Sequence, residues 1–281
     1  MIGAETLAIA YGVGSALTWG AADFSGGLAT RKNAVLTVLL LSQVLGLALL
    51  SVLLVVFGET FPGPGAMVMG ALAGLAGALG IAALYRGLAT ARMGLVAPLS
   101  AVVSAVVPMI YAMATVGLPG RLQLMGIALA LASVWLLSAS SDGGTATLAD
   151  LKLPVLAGLG FGLFFIFIDS AGEKAILWPL IAARCASVLL IIPLVAVQKK
   201  QTPSPRLQLP FIALAGILDT AGNAFFVLAT QVGRLDISAV LTSLYPAATV
   251  MLAWLVLKER INRRQGLGVA VAVSALVLIG I

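Results

Sequence analysis

Apolar residues in this chain run in blocks of about twenty, too long for a half-buried strand and too uniform for the one-sided stripe of a surface helix. Breaking the chain where charge, proline and glycine cluster leaves ten blocks: 6–30, 34–57, 66–90, 94–117, 122–140, 154–175, 177–197, 209–232, 236–257 and 265–281. A helix needs about 20 apolar residues to cross the hydrocarbon layer. Each block therefore predicts a membrane span, and the chain an all-α integral membrane protein. The longest polar stretch, Ser141 to Lys152, falls near the midpoint. It divides the chain into 1–140, a linker at 141–153, and 154–281. The opening MIGAETL has no basic region and no cleavage site, so the first span is expected to be retained. Gly70, Gly74, Gly77 and Gly80 line one side of the third span, a spacing that lets helices approach closely. Pro108 and Pro246, inside the fourth and ninth spans, each predict a kink.

Composition agrees and narrows the chemistry. Of 281 residues, 61% are hydrophobic and 9% charged, with mean hydropathy +1.15. Soluble domains carry about 25% charged residues. There is no histidine and one cysteine, Cys185, which excludes imidazole catalysis, disulfides and thiolate metal sites. No metal, cofactor or nucleic-acid role is expected, and Cys185 is expected to pack as a small hydrophobe.

The two halves repeat. Gly14 precedes Asp23 by nine residues, as Gly160 precedes Asp169, and DFSGGLA (from Asp23) parallels DSAGEKA (from Asp169). Gly87 to Pro108 matches Val227 to Pro246 with a small gap. Five spans per half force the second copy to enter the membrane inverted. Inverted repeats typify secondary transporters, with the substrate held between the halves near mid-membrane.

With the Trp19-Gly20 pair and the run from Leu228 through Leu257-Lys258-Glu259-Arg260 to Gly266, the chain resembles the ten-helix EamA branch of the drug/metabolite transporter superfamily. It departs from that pattern at Leu118 to Arg121 (LPGR, against a Leu-x-Glu turn) and at Phe165, which stands opposite Trp19. The resemblance implies ten helices around a central cavity. It also implies export of amino acids or similar metabolites. A monomer in the lipid bilayer of a bacterial inner membrane is expected.

Ionisable residues inside spans are costly and mark function. Let side A be the face of the N-terminus and side B the other. At 1.5 Å per residue, Asp169 and Arg184 fall at similar depth near side A, and Asp23 and Arg86 near side B. Both are expected as symmetry-related gating pairs. Asp219, mid-span with Asn223 one turn on, breaks the repeat, because the alignment places Leu79 and Ala83 opposite. It is the candidate for holding an ammonium or exchanging a proton. Gln43 is a further polar site. Trp19, Tyr85, Tyr111 and Tyr245 are candidates to line the cavity, with Trp135, Phe164, Phe165 and Trp254 as further wall; Trp178 reads as an interface residue.

Three classes compete. A secondary transporter is favoured by the repeat and the buried charges. No Walker sequence is present for an ATP-driven pump. An intramembrane enzyme would need clustered acids or a nucleophile–base pair, and a pore would need no inverted repeat. A lipophilic-cation exporter is the alternative substrate reading. Lys and Arg gather on side B, from Arg31 and Lys32 to Arg263 and Arg264, against Arg121, Lys174 and Arg234 on side A. Positive charge marks the cytoplasm, so both termini are expected outside, although the resemblance implies termini inside.

Overall fold

The computed structural model describes residues 3–90, 93–138, 148–197, 208–258 and 263–279. Among them every regular element is a helix: α1 (Ala4–Thr30), α2 (Val35–Phe57), α3 (Pro64–Thr90), α4 (Met93–Thr115), α5 (Arg121–Ser138), α6 (Leu148–Gly172), α7 (Leu177–Val197), α8 (Leu209–Val232), α9 (Leu235–Thr242), α10 (Tyr245–Leu257) and α11 (Arg263–Ile279). They make ten spans, the ninth divided into α9 and α10. Among the described residues six segments are long and apolar enough to cross a bilayer by length and composition alone. Of the expected linker, 141–147 lies outside the described residues, and Leu148 to Leu153 already belong to α6. Leucine, alanine and lysine there are good helix formers, and they extend the sixth span backward past Pro154.

The halves are interleaved rather than side by side. Helix α1 packs chiefly on α8, as its inverted counterpart α6 packs on α3. Helices α2 and α8 pair as α7 and α3 do, and α1 meets α9 and α10 as α6 meets α4. The α2–α7 and α5–α11 pairs map onto themselves. Neighbours in sequence such as α1 and α2, or α6 and α7, touch little. The result is two mixed bundles, α1–α2–α8–α9–α10 and α3–α4–α6–α7, related by a pseudo-two-fold, with α5 and α11 paired beside them.

Small residues fix the register of that two-fold. A Cβ on Gly70 would lie 2.5 Å from Pro179 O, and one on Gly74 would overlap Ala183 O. On the other side of the axis, a Cβ on Gly216 would lie 2.6 Å from Ser42 O. Gly74 therefore corresponds to Gly216, and Ala183 to Ser42. Continuing this register pairs Gly80 with Gly222, Gly77 with Asp219, and Gln43 with Arg184. The expected partners of Asp219 and Asn223, Leu79 and Ala83, are displaced by two residues to Gly77 and Ile81. Helix–helix contact sets the register, and an alignment crossing a gap cannot place it.

Polar links join ends that all fall on side A. Gln123 Nε2 donates to Glu5 Oε1 (2.7 Å), Gln231 Nε2 to Gly172 O (2.6 Å), and Arg234 to Gly117 O. The Glu59 carboxylate accepts the N–H groups of Ile176, Leu177 and Trp178 at 2.7, 2.9 and 3.1 Å. A helix start has unpaired N–H groups and a positive dipole end. Glu59, on the α2–α3 loop, thus caps α7 from a distance, while Trp178 Nε1 donates to Glu59 O (3.0 Å) and Phe61 meets Trp178 edge-on.

The two proline-bearing spans differ. Helix α4 runs unbroken through Pro108, whereas the ninth span breaks at Ser243–Leu244. The helices they lean on explain the difference. A Cβ on Gly20 of α1 would lie 2.5 Å from both Tyr245 O and Ala248 Cβ, and Thr249 Oγ1 donates to Gly20 O (3.0 Å). Helix α10 thus tilts into the space above Gly20. The residue of α6 in that place is Ile166, and α4 closes on α6 one turn earlier, where a Cβ on Gly162 would lie 2.5 Å from Val107 Cβ.

Candidate functional site

The polar centre forms where α2, α7 and α8 meet at mid-depth. Arg184 on α7 donates to Gln43 Oε1 of α2, to Asp219 Oδ2 of α8, and to Thr220 Oγ1 (3.4 Å). Ser187, one turn on, donates to Gln43 Oε1 (3.4 Å). Gly46 makes the convergence fit: a Cβ there would stand 2.5 Å from Thr220 Oγ1 and 3.5 Å from Arg184 Nε. Gln43 and Arg184 correspond across the two-fold, so the axis passes through their hydrogen bond.

The two charges are unequally placed. The Arg184 side chain is 8% exposed and that of Asp219 is 38% exposed. The guanidinium is enclosed and occupied, while one edge of the carboxylate is accessible. The backbone around Asp219 is held firmly. Trp19 Nε1 donates to Asp219 O (3.2 Å), as does Asn223 Nδ2 (2.6 Å), and Ser15 Oγ donates to Gly222 O (2.8 Å). Trp19 meets Phe165 at 5.7 Å between ring centroids and Phe226 at 6.3 Å, and Phe165 meets Phe226 at 4.6 Å. Trp19 and Phe165, aligned across the repeat, thus meet at the axis in a buried aromatic cluster, from which Trp19 reaches the polar centre through its bond to Asp219 O.

The sequence-predicted residues divide accordingly. Arg184, Asp219, Gln43, Asn223 and Trp19 come together. The expected Asp169–Arg184 pair does not form: α6 and α7 touch little, Arg184 turns toward α2 and α8, and Asp169 lies beside Thr230 of α8. The expected Asp23–Arg86 pair is corrected as well. Asp23 lies within electrostatic reach of Asp219 and Tyr245, while Arg86 is exposed at the end of α3, in the other bundle. Depth arithmetic places residues along the membrane normal but cannot say which helices are neighbours. Tyr245 opens α10 beside Asp23. Tyr111, 45% exposed, stands near the side A end of α4, away from the centre. The Tyr85 side chain lies outside the described residues. Trp135 and Trp254 are exposed on helix faces, and Cys185 is exposed rather than packed.

Four participants escaped sequence reasoning. Ser187 and Thr220 carry no charge to draw notice; their signal was one-turn spacing from Arg184 and from Gly216. Glu59 falls between two apolar blocks, where the sequence gives it no partner. Arg234 was counted only as a loop charge, yet its Nε and Nη2 hold Asp236, which is fully buried, at 3.0 and 2.8 Å. The hydrogen bond to Asp236 raises the Arg234 pKa above its ordinary value, so this pin on side A keeps its charge. Off centre, a cavity of ≈ 320 Å³ opens between the start of α3 and the end of α6, with Met69, Ser170, Glu173 and Lys174 on its wall.

Comparison with known proteins adds the following. The model of the EamA-like transporter family matches residues 150–281, the second repeat. A solved crystal structure of a protein with no further description shares 16% identity and superposes with a TM-score of 0.77, over 96% of this chain and 97% of that one. At that identity the likeness is one of fold. Among curated proteins none matches the chain.

Proposed function

We propose a function from one premise: this chain belongs to the EamA-like transporter family through residues 150–281, and is a multi-pass membrane transporter of the drug/metabolite superfamily. On that premise it exports amino acids or similar small metabolites by alternating access, as a monomer in a bacterial inner membrane. Its repeats, 1–140 and 154–281, supply the two entrances. Because the halves interleave, the rocking bodies are the two mixed bundles and not the sequence halves.

One observation carries the substrate reading. The Arg184 guanidinium is spent on Gln43, Asp219 and Thr220, while the Asp219 carboxylate keeps an accessible edge within reach of Asp23. The charge a solute meets is therefore negative, and the group recognised is an ammonium. The partly exposed Trp19 ring, held to Asp219 O through its Nε1, suits the apolar remainder of the solute. A lipophilic cation would use the same surfaces, and this is the alternative. Thermal stabilisation of purified protein by an amino-acid panel, beside the matching amino-acid methyl esters and quaternary cations, tests the choice. Amino acids should stabilise best, and Asp219→Asn should abolish the effect while leaving the protein folded. Stabilisation by quaternary cations alone favours the alternative; stabilisation of Asp219→Asn equal to the parent removes the site.

The Lys and Arg excess on side B supports a cytoplasmic side B and external termini. A fluorescent protein fused after Ile281 should stay dark and a phosphatase fused there should be active. A bright fluorophore reverses the orientation.

A further inference from the structure

We infer a second polar site, for a small monovalent cation such as Na⁺, at the break between α9 and α10. All eight residues of α9 are buried. Ser238 Oγ and Thr242 Oγ1 lie one turn apart on one face of α9, both residues at 0% exposure, and neither has a hydrogen-bond partner. Buried hydroxyls are normally satisfied, and an orphan calls for an occupant.

The backbone adds oxygens at the same place. Pro246 has no N–H to give to Thr242 O. The Ala247 N–H turns to Leu244 O (2.9 Å), so Ser243 O also loses its usual helical donor. Other groups nearby are spent: Ser243 Oγ donates to Val240 O (2.7 Å) and Ser243 N–H to Ala239 O (3.0 Å). Thr242 Oγ1 and two carbonyls are thus left at the C-terminal end of α9, the negative end of its dipole, with Ser238 Oγ one turn before them. Neutral hard oxygens suit an alkali cation better than a soft transition metal, and no carboxylate pair is present for Ca²⁺. Interrupted spans in transporters hold coupling ions with such unwound carbonyls.

The surroundings supply the counter-charge. Tyr245, the first residue of α10, is within reach of Asp23, and Asp23 of Asp219. Asp219 is paired with Arg184, so Asp23, within reach of Tyr245, is the acid that faces the break. The first repeat has no equivalent. There Ser104 Oγ is bonded to Ala101 O (2.8 Å), Ser100 has a partner, and α4 is continuous.

The test is thermal unfolding of the purified full chain, with NaCl titrated against choline chloride at constant ionic strength and no organic substrate added. It reads cation binding whether or not the ammonium-substrate reading holds. The expected result is a saturable rise in Tm with Na⁺ alone, lost in Thr242→Val and in Ser238→Ala and kept in Thr242→Ser. Should Thr242→Val fail to fold, Ser238→Ala carries the same decision. An equal response to choline, no response, or an undiminished Na⁺ response in the variants overturns the proposal; a structural water in the break would give the second of these.

Discussion

Both α4 and the α9–α10 span carry a hydroxyl one turn before a proline, Ser104 and Pro108 in one, Thr242 and Pro246 in the other. Helix α4 continues through its proline and satisfies its hydroxyl, whereas the later span breaks and leaves Thr242 Oγ1 orphaned. Proline permits a break in either place. The neighbours differ, Gly20 admitting α10 where the matching place on α6 carries Ile166. The same division recurs at the centre, where Gln43 and Gly77 in the first repeat stand opposite Arg184 and Asp219 in the second. A duplicated scaffold thus keeps its packing two-fold while its charge and its broken helix sit in one copy.

The sharpest way to break this comparison is at the axis. Arg184→Leu removes the cation that holds Gln43, Asp219 and Thr220 together. Losing one partner of a buried pair costs about 3–5 kcal/mol. The accessible edge of Asp219 places this loss near the low end, about 3 kcal/mol. Gln43→Leu, at the equivalent position, leaves one guanidinium donor unmet and should cost about 1–3 kcal/mol. Equilibrium unfolding in detergent should rank them in that order; equal losses would mean that the two repeats share the centre evenly.

The neighbour argument is tested one helix away. Gly20→Ala would place a methyl group against Tyr245 O and Ala248, and overpacking of this kind costs about 1–3 kcal/mol. Ile166→Ala, on the quiet side, makes matching room beside α4, and amide exchange across 105–112 should quicken if the neighbour decides the break. Amide exchange across 239–247 should slow in Gly20→Ala if displacing α10 restores the helix. Unchanged exchange there would dismiss Gly20 as the cause.

Much of this architecture was legible beforehand. Ten apolar blocks gave ten spans, since blocks of that length leave few alternatives in a bilayer, and an odd count per half gave the inversion. Arg184, Asp219 and Gln43 stood out because charge and amide are rare inside spans. Their partners could not be read. Asp169 matched Arg184 in depth, but α7 packs on α2 and α3 and hardly on α6, and azimuth around the bundle leaves no trace in a single sequence. The break escaped for a similar reason: two prolines look alike until Gly20 and Ile166 are known to face them.

The smallest effect tests the register itself. On the α5–α11 pair, Ser133 Oγ donates to Gly268 O at 2.8 Å. The two-fold exchanges Ser133 with Ala275 and Gly268 with Gly126. Consistent with that exchange, a Cβ on Gly126 would lie 3.0 Å from Ala275 O. Ser133→Ala removes one hydrogen bond, worth about 0.5–1.5 kcal/mol. The Gly268 carbonyl is left inside a helix where its own turn can still serve it, so the low end of that range applies. If the exchange is correct, Ala275→Ser gives its hydroxyl the same route to Gly126 O. The double variant Ser133→Ala, Ala275→Ser should then recover most of the stability lost by the first change. Recovery in the double variant, measured by unfolding midpoint beside both singles, requires that the two positions be equivalent. A double variant no more stable than Ser133→Ala would mean that α5 and α11 do not share the register which places Gln43 opposite Arg184.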